Sequence, residues 1–221
     1  MLTRRKLMWG KSKQIWTAGL KNGCVHLWEL DGDANDKIGD WHMPKVMPGA
    51  SVSYTSGVMK KAISFNGTGG VETAIATSNT TYTKWTYSFW IKTQTQVDAY
   101  GTILARSSNA SSGIFLSSSY KLLMASFQPA HTSTITIPIN TWTHVSIMNT
   151  GLYINGALKE SYSLGSHLLS SGNIINIGAV YYGGLRNCLN ASLEQLAIWD
   201  RNLTATEIAQ LYNNGVGLYY D

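Results

Sequence analysis

The residues of this chain that could do chemistry are few, and their spacing narrows what that chemistry would be. Asp31, Asp33, Asn35, Asp36 and Asp40 gather side-chain oxygens into one ten-residue loop, the ligand type a hard cation such as Ca²⁺ requires. The loop is not an EF-hand, because Asp36 stands where the sharp turn needs Gly and His42 where the bidentate Glu belongs. The alternative is an Asx-rich turn that bonds its own backbone. Glycoside hydrolysis would need two carboxylates flanking one bond. Glu29 and Asp31 are the one carboxylate pair on a common strand pattern. There is no Gly-x-Ser-x-Gly elbow, Cys–His nucleophile pattern or phosphate-binding loop. The five histidines are scattered singly, and His144 is expected to pack as a structural residue beside Trp142. The reading is of a non-enzyme with no required cofactor, calcium being the one ion the chain would suit.

Two further groups could bind rather than react. Trp90, Tyr181 and Tyr182 offer aromatic faces near hydrogen-bonding loops, as a sugar ring requires. Against this, Trp90 could be covered by the opposing layer or a helix, and the tyrosines could form an interface patch. Arg4, Arg5, Lys6, Lys11, Lys13 and Lys21 crowd the first two dozen residues, with Trp9 and Trp16 among them. Such a basic segment can bind nucleic acid or an acidic protein surface, but no stacking platform accompanies the charges, and a solvated or partner-docked terminus is the expectation. Its tryptophans are expected to dock on a partner or on the domain itself.

The elements that must position these groups are strands. Of the 221 residues only 13% are charged, although net charge is +5 and the sequence pI about 9.1. The surface must therefore be built of Ser, Thr, Asn and Gly, which suits strand-and-turn structure. In Trp142–Gly156 the alternating Val145 and Ile147 precede Asn149-Thr150-Gly151, expected to turn through a positive-φ residue. Leu152-Tyr153-Ile154 follows, and Asn155-Gly156 signals a type I′ turn. Lys60–Phe65 and Val71–Ile75 flank Asn66-Gly67-Thr68-Gly69-Gly70 in the pattern of a hairpin. Trp85, Tyr87, Phe89 and Ile91 share one strand face and leave Trp90 on the other. Short strands at about ten-residue spacing argue for a sandwich or jelly roll. One helix is expected after the capping box Thr204-Ala205-Thr206-Glu207, with Ala205, Ile208, Leu211 and Tyr212 as its apolar stripe and Asn213-Asn214-Gly215 as its stop. Cys24 and Cys188 are too far apart for a local motif; a disulfide would need the fold to bring them together, and two buried free thiols are the expectation. A basic start without an apolar core gives no signal peptide, and no run reaches membrane-spanning length.

From about Val25 onward the chain resembles the laminin-G-like domains of the concanavalin A-like lectin/glucanase superfamily. The resemblance rests on Ala62-Ile63-Ser64-Phe65-Asn66-Gly67, Tyr87-Ser88-Phe89-Trp90-Ile91-Lys92, Trp142-Thr143-His144-Val145, Leu152-Tyr153-Ile154-Asn155-Gly156, Ile175-Asn176-Ile177-Gly178 and Leu193 through Tyr212, in the family's order. It implies an all-β, concanavalin A-like jelly-roll sandwich at residues 23–221, with residues 1–22 as an extended arm. It also implies a calcium site on one sandwich edge, although Glu194-Gln195 replaces the usual Asp-Glu. In the glucanase branch the acids run Glu-x-Asp-x-x-Glu, whereas Ala34 stands here in place of the second Glu. The arm, the missing leader and the abrupt Gly217–Asp221 end are similar to bacteriophage virion proteins carrying such domains. The expectation is a virion-surface structural or decoration subunit, on capsid or tail, within a homo- or hetero-oligomeric assembly. Its arm would hold other virion proteins and its sandwich would touch glycans; a free-standing carbohydrate-binding lectin is the alternative.

Overall fold

The computed structural model of the chain describes residues 13–73, 80–106, 113–125, 129–170, 174–181 and 183–220. Two antiparallel sheets face one another. The first runs edge to edge through Ala157–Ser161, Gly151–Ile154, Thr143–Met148, Thr86–Thr93, Asn190–Trp199, Lys61–Asn66 and Val52–Ser56. The second runs through His131–Thr136, Lys121–Ala125, Gly113–Ser117, Tyr100–Arg106, Ile175–Ile177, Val71–Glu72 and Lys45–Val46. Alternation decides what fills the space between them. Tyr87, Phe89 and Ile91 share the core with Val145, Ile147, Ile63 and Phe65 of the same sheet, and with Ile114, Leu116, Leu122, Met124 and Ile175 of the other.

The last strand organises the first sheet. Its residues Asn190–Leu193 pair with Asn66–Ile63, and its residues Leu196–Trp199 pair with Trp28–Cys24 of the first strand, Cys24–Trp28. The change of partner occurs at a bulge where Gln195 takes φ 53° and the register shifts between Glu194 and Ala197. The extra residue keeps Leu193, Leu196 and Ile198 all facing the core, and it re-aims Glu194 and Gln195.

A second apolar cluster covers the outer face of this sheet. Ile208 and Leu211 of the helix Ala205–Tyr212 pack there with Leu27, Met148, Ala197, Trp199, Leu203 and Leu218. Trp16 and Leu20 join the same cluster, with Trp16 stacked on Trp199 at 5.3 Å. Residues 13–22 are thus part of the domain. They pair with the chain end through Ile15 and Tyr219 and form a short helix, Ala18–Lys21. The boundary expected at residue 22 is corrected to this extent, because two indoles 183 positions apart bury each other.

Three turn readings change or hold. Asn66–Gly70 does not close a hairpin: Lys61–Asn66 lies in one sheet and Val71–Glu72 in the other, so the glycines carry the chain between layers. Gly151 is not at positive φ; a Cβ there would meet the Glu160 carbonyl at 2.7 Å, so the glycine allows close strand approach. Asn155 and Gly156, at φ 51° and 78°, make the tight turn that their pair signals. Cys24 and Cys188 are buried and free.

Candidate functional site

The bulge sets up a site where both chain ends meet the first sheet. Glu194 is only 2% exposed, and its carboxylate accepts backbone N–H groups from the turn between Val52–Ser56 and Lys61–Asn66. Val58 donates at 2.5 Å, Met59 at 3.0 Å and Lys60 at 2.8 Å. Burial nonetheless pushes the Glu194 carboxyl above its ordinary range, the three N–H donors offsetting this only in part. Beside it the Lys60 ammonium contacts Glu29 at 2.9 Å and Asp31 at 3.7 Å. Burial alone would lower the Lys60 pKa, but the hydrogen bond and charge of Glu29, with Asp31, leave it raised. Glu29, Met59, Lys60, Glu194, Gln195 and Tyr219 enclose a pocket of about 10 Å³, room for a single water.

Tyr219 also forms the floor of an open groove of about 840 Å³. Lys13 and Gln14 line it from the chain start, Val58 from the turn, and Asn213, Asn214, Val216 and Gly217 from the segment after the helix. Local chemistry fixes this wall. Asn213 ends the helix in the left-handed region at φ 46°, Asn214 follows at φ 52°, and the Asn213 amide donates to the Gly217 carbonyl at 2.8 Å. The Tyr219 hydroxyl donates to the Met59 carbonyl at 2.8 Å, and the Lys13 ammonium lies 4.5 Å from the Tyr219 ring centre. The lining is amide, aromatic, cationic and, at Val58 and Val216, aliphatic, without a carboxylate among the described residues. Such a surface can donate and accept hydrogen bonds beside an aromatic ring.

The side chains singled out from sequence lie elsewhere. Trp90 is on the outer face as alternation requires, but it is 2% exposed and lies beneath Tyr212 of the helix, with ring centres 5.9 Å apart. His144 packs against Trp90 at 5.0 Å. Tyr181 is 40% exposed, in a small hairpin of Val180–Tyr181 with Leu185–Arg186; Tyr182 lies outside the described residues. The acidic loop does not converge. Asp36 takes backbone N–H groups from Leu27, Ile38, Gly39 and Trp41, plus the His26 ring at 2.6 Å. Asp33 bonds Asn35 N–H and Lys37, while Asp31 takes the Lys61 N–H and Lys60. Asn35 is exposed, and among the described residues no three acidic, His or Cys side chains are grouped to hold a metal. Asp31, Asp33 and Asp36 thus bond groups of the fold, as the Asx-turn alternative describes. Arg4, Arg5, Lys6, Trp9 and Lys11 lie outside the described residues. Sequence reasoning missed the groove: its walls come from segments some two hundred positions apart, and only the Asn213-Asn214-Gly215 stop hinted at one of them.

A family model for the concanavalin A-like lectin/glucanases superfamily matches residues 65–209. The chain belongs to this superfamily. Among solved structures, domain 4 of the arabinanase AbnA from Geobacillus stearothermophilus, determined with arabinotriose, superposes with a TM-score of 0.64 at 20% identity, over 84% of this chain and 96% of that one. The binding domain of Paraclostridial Mosquitocidal Protein 1 gives 0.67 at 21%, over 88% and 53%. Trypanosoma rangeli sialidase in complex with sialic acid gives 0.60 at 14%, over 88% and 34%. This lectin-like sandwich thus spans about half of that binding domain and a third of the sialidase. At such identities the likeness speaks for the fold. No curated protein matches the chain. Among the described residues no helix is long and apolar enough to cross a membrane.

Proposed function

We propose that the chain is a non-catalytic carbohydrate-binding domain that takes its glycan in the groove between its two ends. The observation that carries this is the lining: Gln14, Asn213 and Asn214 amides in one groove with the Tyr219 ring, one face of which lies under the Lys13 ammonium, in about 840 Å³. Sugars present hydroxyls that both donate and accept, which amides match, and apolar ring faces, which aromatic groups cover. An arabinanase domain of like fold, solved with arabinotriose, supports the same class of ligand.

The non-catalytic reading draws on the glutamates. Glu29 is held by Lys60, Glu72 by Lys45, Glu194 by three backbone amides and Glu207 by Arg201. Glu160 is bonded to Thr134 and His131. A glycosidase needs two carboxyls free to face one bond, and these five are engaged within the fold.

A glycan array followed by titration calorimetry tests the reading. A defined ligand is expected, with Tyr219→Ala weakening it by about tenfold or more and Asn214→Gly by several-fold. Glycine suits the Asn214 backbone, so that variant removes the amide without strain. Absence of any glycan ligand, or affinity indifferent to both variants, would overturn the proposal.

The crowding of Arg4, Arg5, Lys6 and Lys11 ahead of Lys13 in the sequence favours a companion reading. In it, the domain decorates a virion, held through these residues on an acidic surface of another virion protein. Deleting residues 1–12 should then abolish co-sedimentation with particles while leaving the circular dichroism spectrum unchanged. Retained sedimentation would rule the anchor out.

A further inference from the structure

The two main sheet orders end in four strands, while Cys24–Trp28, which joins the last strand off that order, has Leu27 engaged by Asp36 and Lys37 on its other side. An edge with unpaired N–H and C=O groups is a template for another strand unless it is protected. Three of the four edges carry protection. Ala157–Ser161 bears Lys159 and Glu160 and pairs through a register break. His131–Thr136 also has a register break, and its Thr134 N–H is taken by Glu160. Lys45–Val46 is two residues long and starts with a lysine. The fourth, Val52–Ser56, has none of these devices. Its sequence is Val-Ser-Tyr-Thr-Ser, uncharged and free of proline, and it pairs with Lys61–Phe65 in unbroken register.

The turn shows which backbone groups face outward. Gly57 N–H donates to the Lys60 carbonyl at 2.8 Å, so Gly57 and Lys60 form a hydrogen-bonded pair. Antiparallel alternation then turns the Ser53 and Thr55 backbone groups inward to the neighbouring strand and those of Val52, Tyr54 and Ser56 outward. No backbone bond from the outward groups occurs among the described residues. The strand is also complementary to itself. In an antiparallel pair with its twofold axis at Tyr54, Tyr54 opposes Tyr54, Ser53 opposes Thr55 and Val52 opposes Ser56. This gives an aromatic pair, hydroxyl pairs, about six hydrogen bonds and no like charges.

We infer that Val52–Ser56 joins the same strand of a second copy of this chain, making one continuous sheet across a twofold dimer. Tyr54, 36% exposed at the centre, is the residue on which the interface turns. The inference is independent of the glycan reading.

Sedimentation velocity of the full chain from about 1 µM to about 1 mM tests it. A reversible monomer–dimer equilibrium is expected. Tyr54→Pro, which removes an N–H that serves no bond within the chain, should weaken association by at least about tenfold, and Tyr54→Phe should preserve it. Tyr54→Lys, which would set two ammonium groups opposite each other, guards against a misfolded proline variant and should have the same effect. A wild-type chain that stays monomeric throughout, leaving the edge to a strand of some other protein, would overturn the inference. So would a dimer that survives both Tyr54→Pro and Tyr54→Lys.

Discussion

His144 shows how much a single side chain can be asked to bear. It is 2% exposed, its Nε2 lies 2.9 Å from the Ser88 hydroxyl, and its Nδ1 is buried without a partner. The faces turned towards it are the rings of Trp90 and Tyr212, and burial lowers its pKa to about 3. The unfolded chain takes up this proton as pH falls through the ordinary 6.5, whereas the folded chain refuses it down to about 3. In that window the unfolded state binds more protons, so stability falls with pH. Above it the residue contributes no slope. Urea unfolding should show a loss of about 3 kcal/mol between pH 7 and pH 4, and His144→Asn should flatten that loss. A wild-type slope retained in the variant would place the titration elsewhere. Glu207 overlaps only the acidic end of that window: the Arg201 guanidinium beside it holds its carboxyl down at about 2. Its stabilisation is full above the ordinary 4.5 and is lost as pH falls from there towards 2.

At the scale of elements, the two chain ends form a lid over the first sheet. Trp16 is 3% exposed between Trp199 and Tyr220. Trp16→Ala should therefore cost about 3–5 kcal/mol in denaturant unfolding. By the same logic, deleting residues 1–22 should lower the midpoint sharply by exposing Trp199, Leu27 and Ala197. The helix opposite depends on its start. Thr204 accepts the Glu207 N–H and Glu207 reaches back to the Thr204 N–H at 2.8 Å, so Thr204→Ala should cost about 1 kcal/mol. That capping box was legible because it is written within four residues. The strand carrying Tyr87, Phe89 and Ile91 was legible for a like reason, its period being local. What the pattern could not show is who covers an outer face. Trp90 falls off the core face by alternation, yet only the packed helix decides that it is buried. The Gly-rich Asn66–Gly70 stretch reads as a hairpin because turn residues report a bend and not its destination. Val52–Ser56, rich in hydroxyl side chains with little apolar alternation, gave no strand signal; its pairing with Lys61–Phe65 makes it one. The groove was illegible for the same reason as Trp16, since its walls meet only through long-range pairing.

For the molecule as a whole, closure of the chain and formation of the groove are one event. Trp16 N–H donates to the Tyr219 carbonyl and Tyr219 N–H to the Gln14 carbonyl, both at 2.9 Å, so the two segments that line the groove are also tied to each other. A glycan seated between Gln14, Asn214 and Tyr219 would bind the closed state and not the unfolded one. At a ligand concentration 100 times Kd it should raise the unfolding free energy by about 2.7 kcal/mol, read as a higher Tm in calorimetry. The same linkage predicts an effect at a distance. Trp16 does not line the groove, but its loss loosens the bridge between Ile15 and Tyr219, so Trp16→Ala should weaken glycan affinity as well as stability. Thr204→Ala, which weakens only the start of the helix, should lower Tm with affinity unchanged. If Trp16→Ala bound glycan as tightly as the wild type at a temperature where it remains folded, the terminal clasp would not be what builds the site.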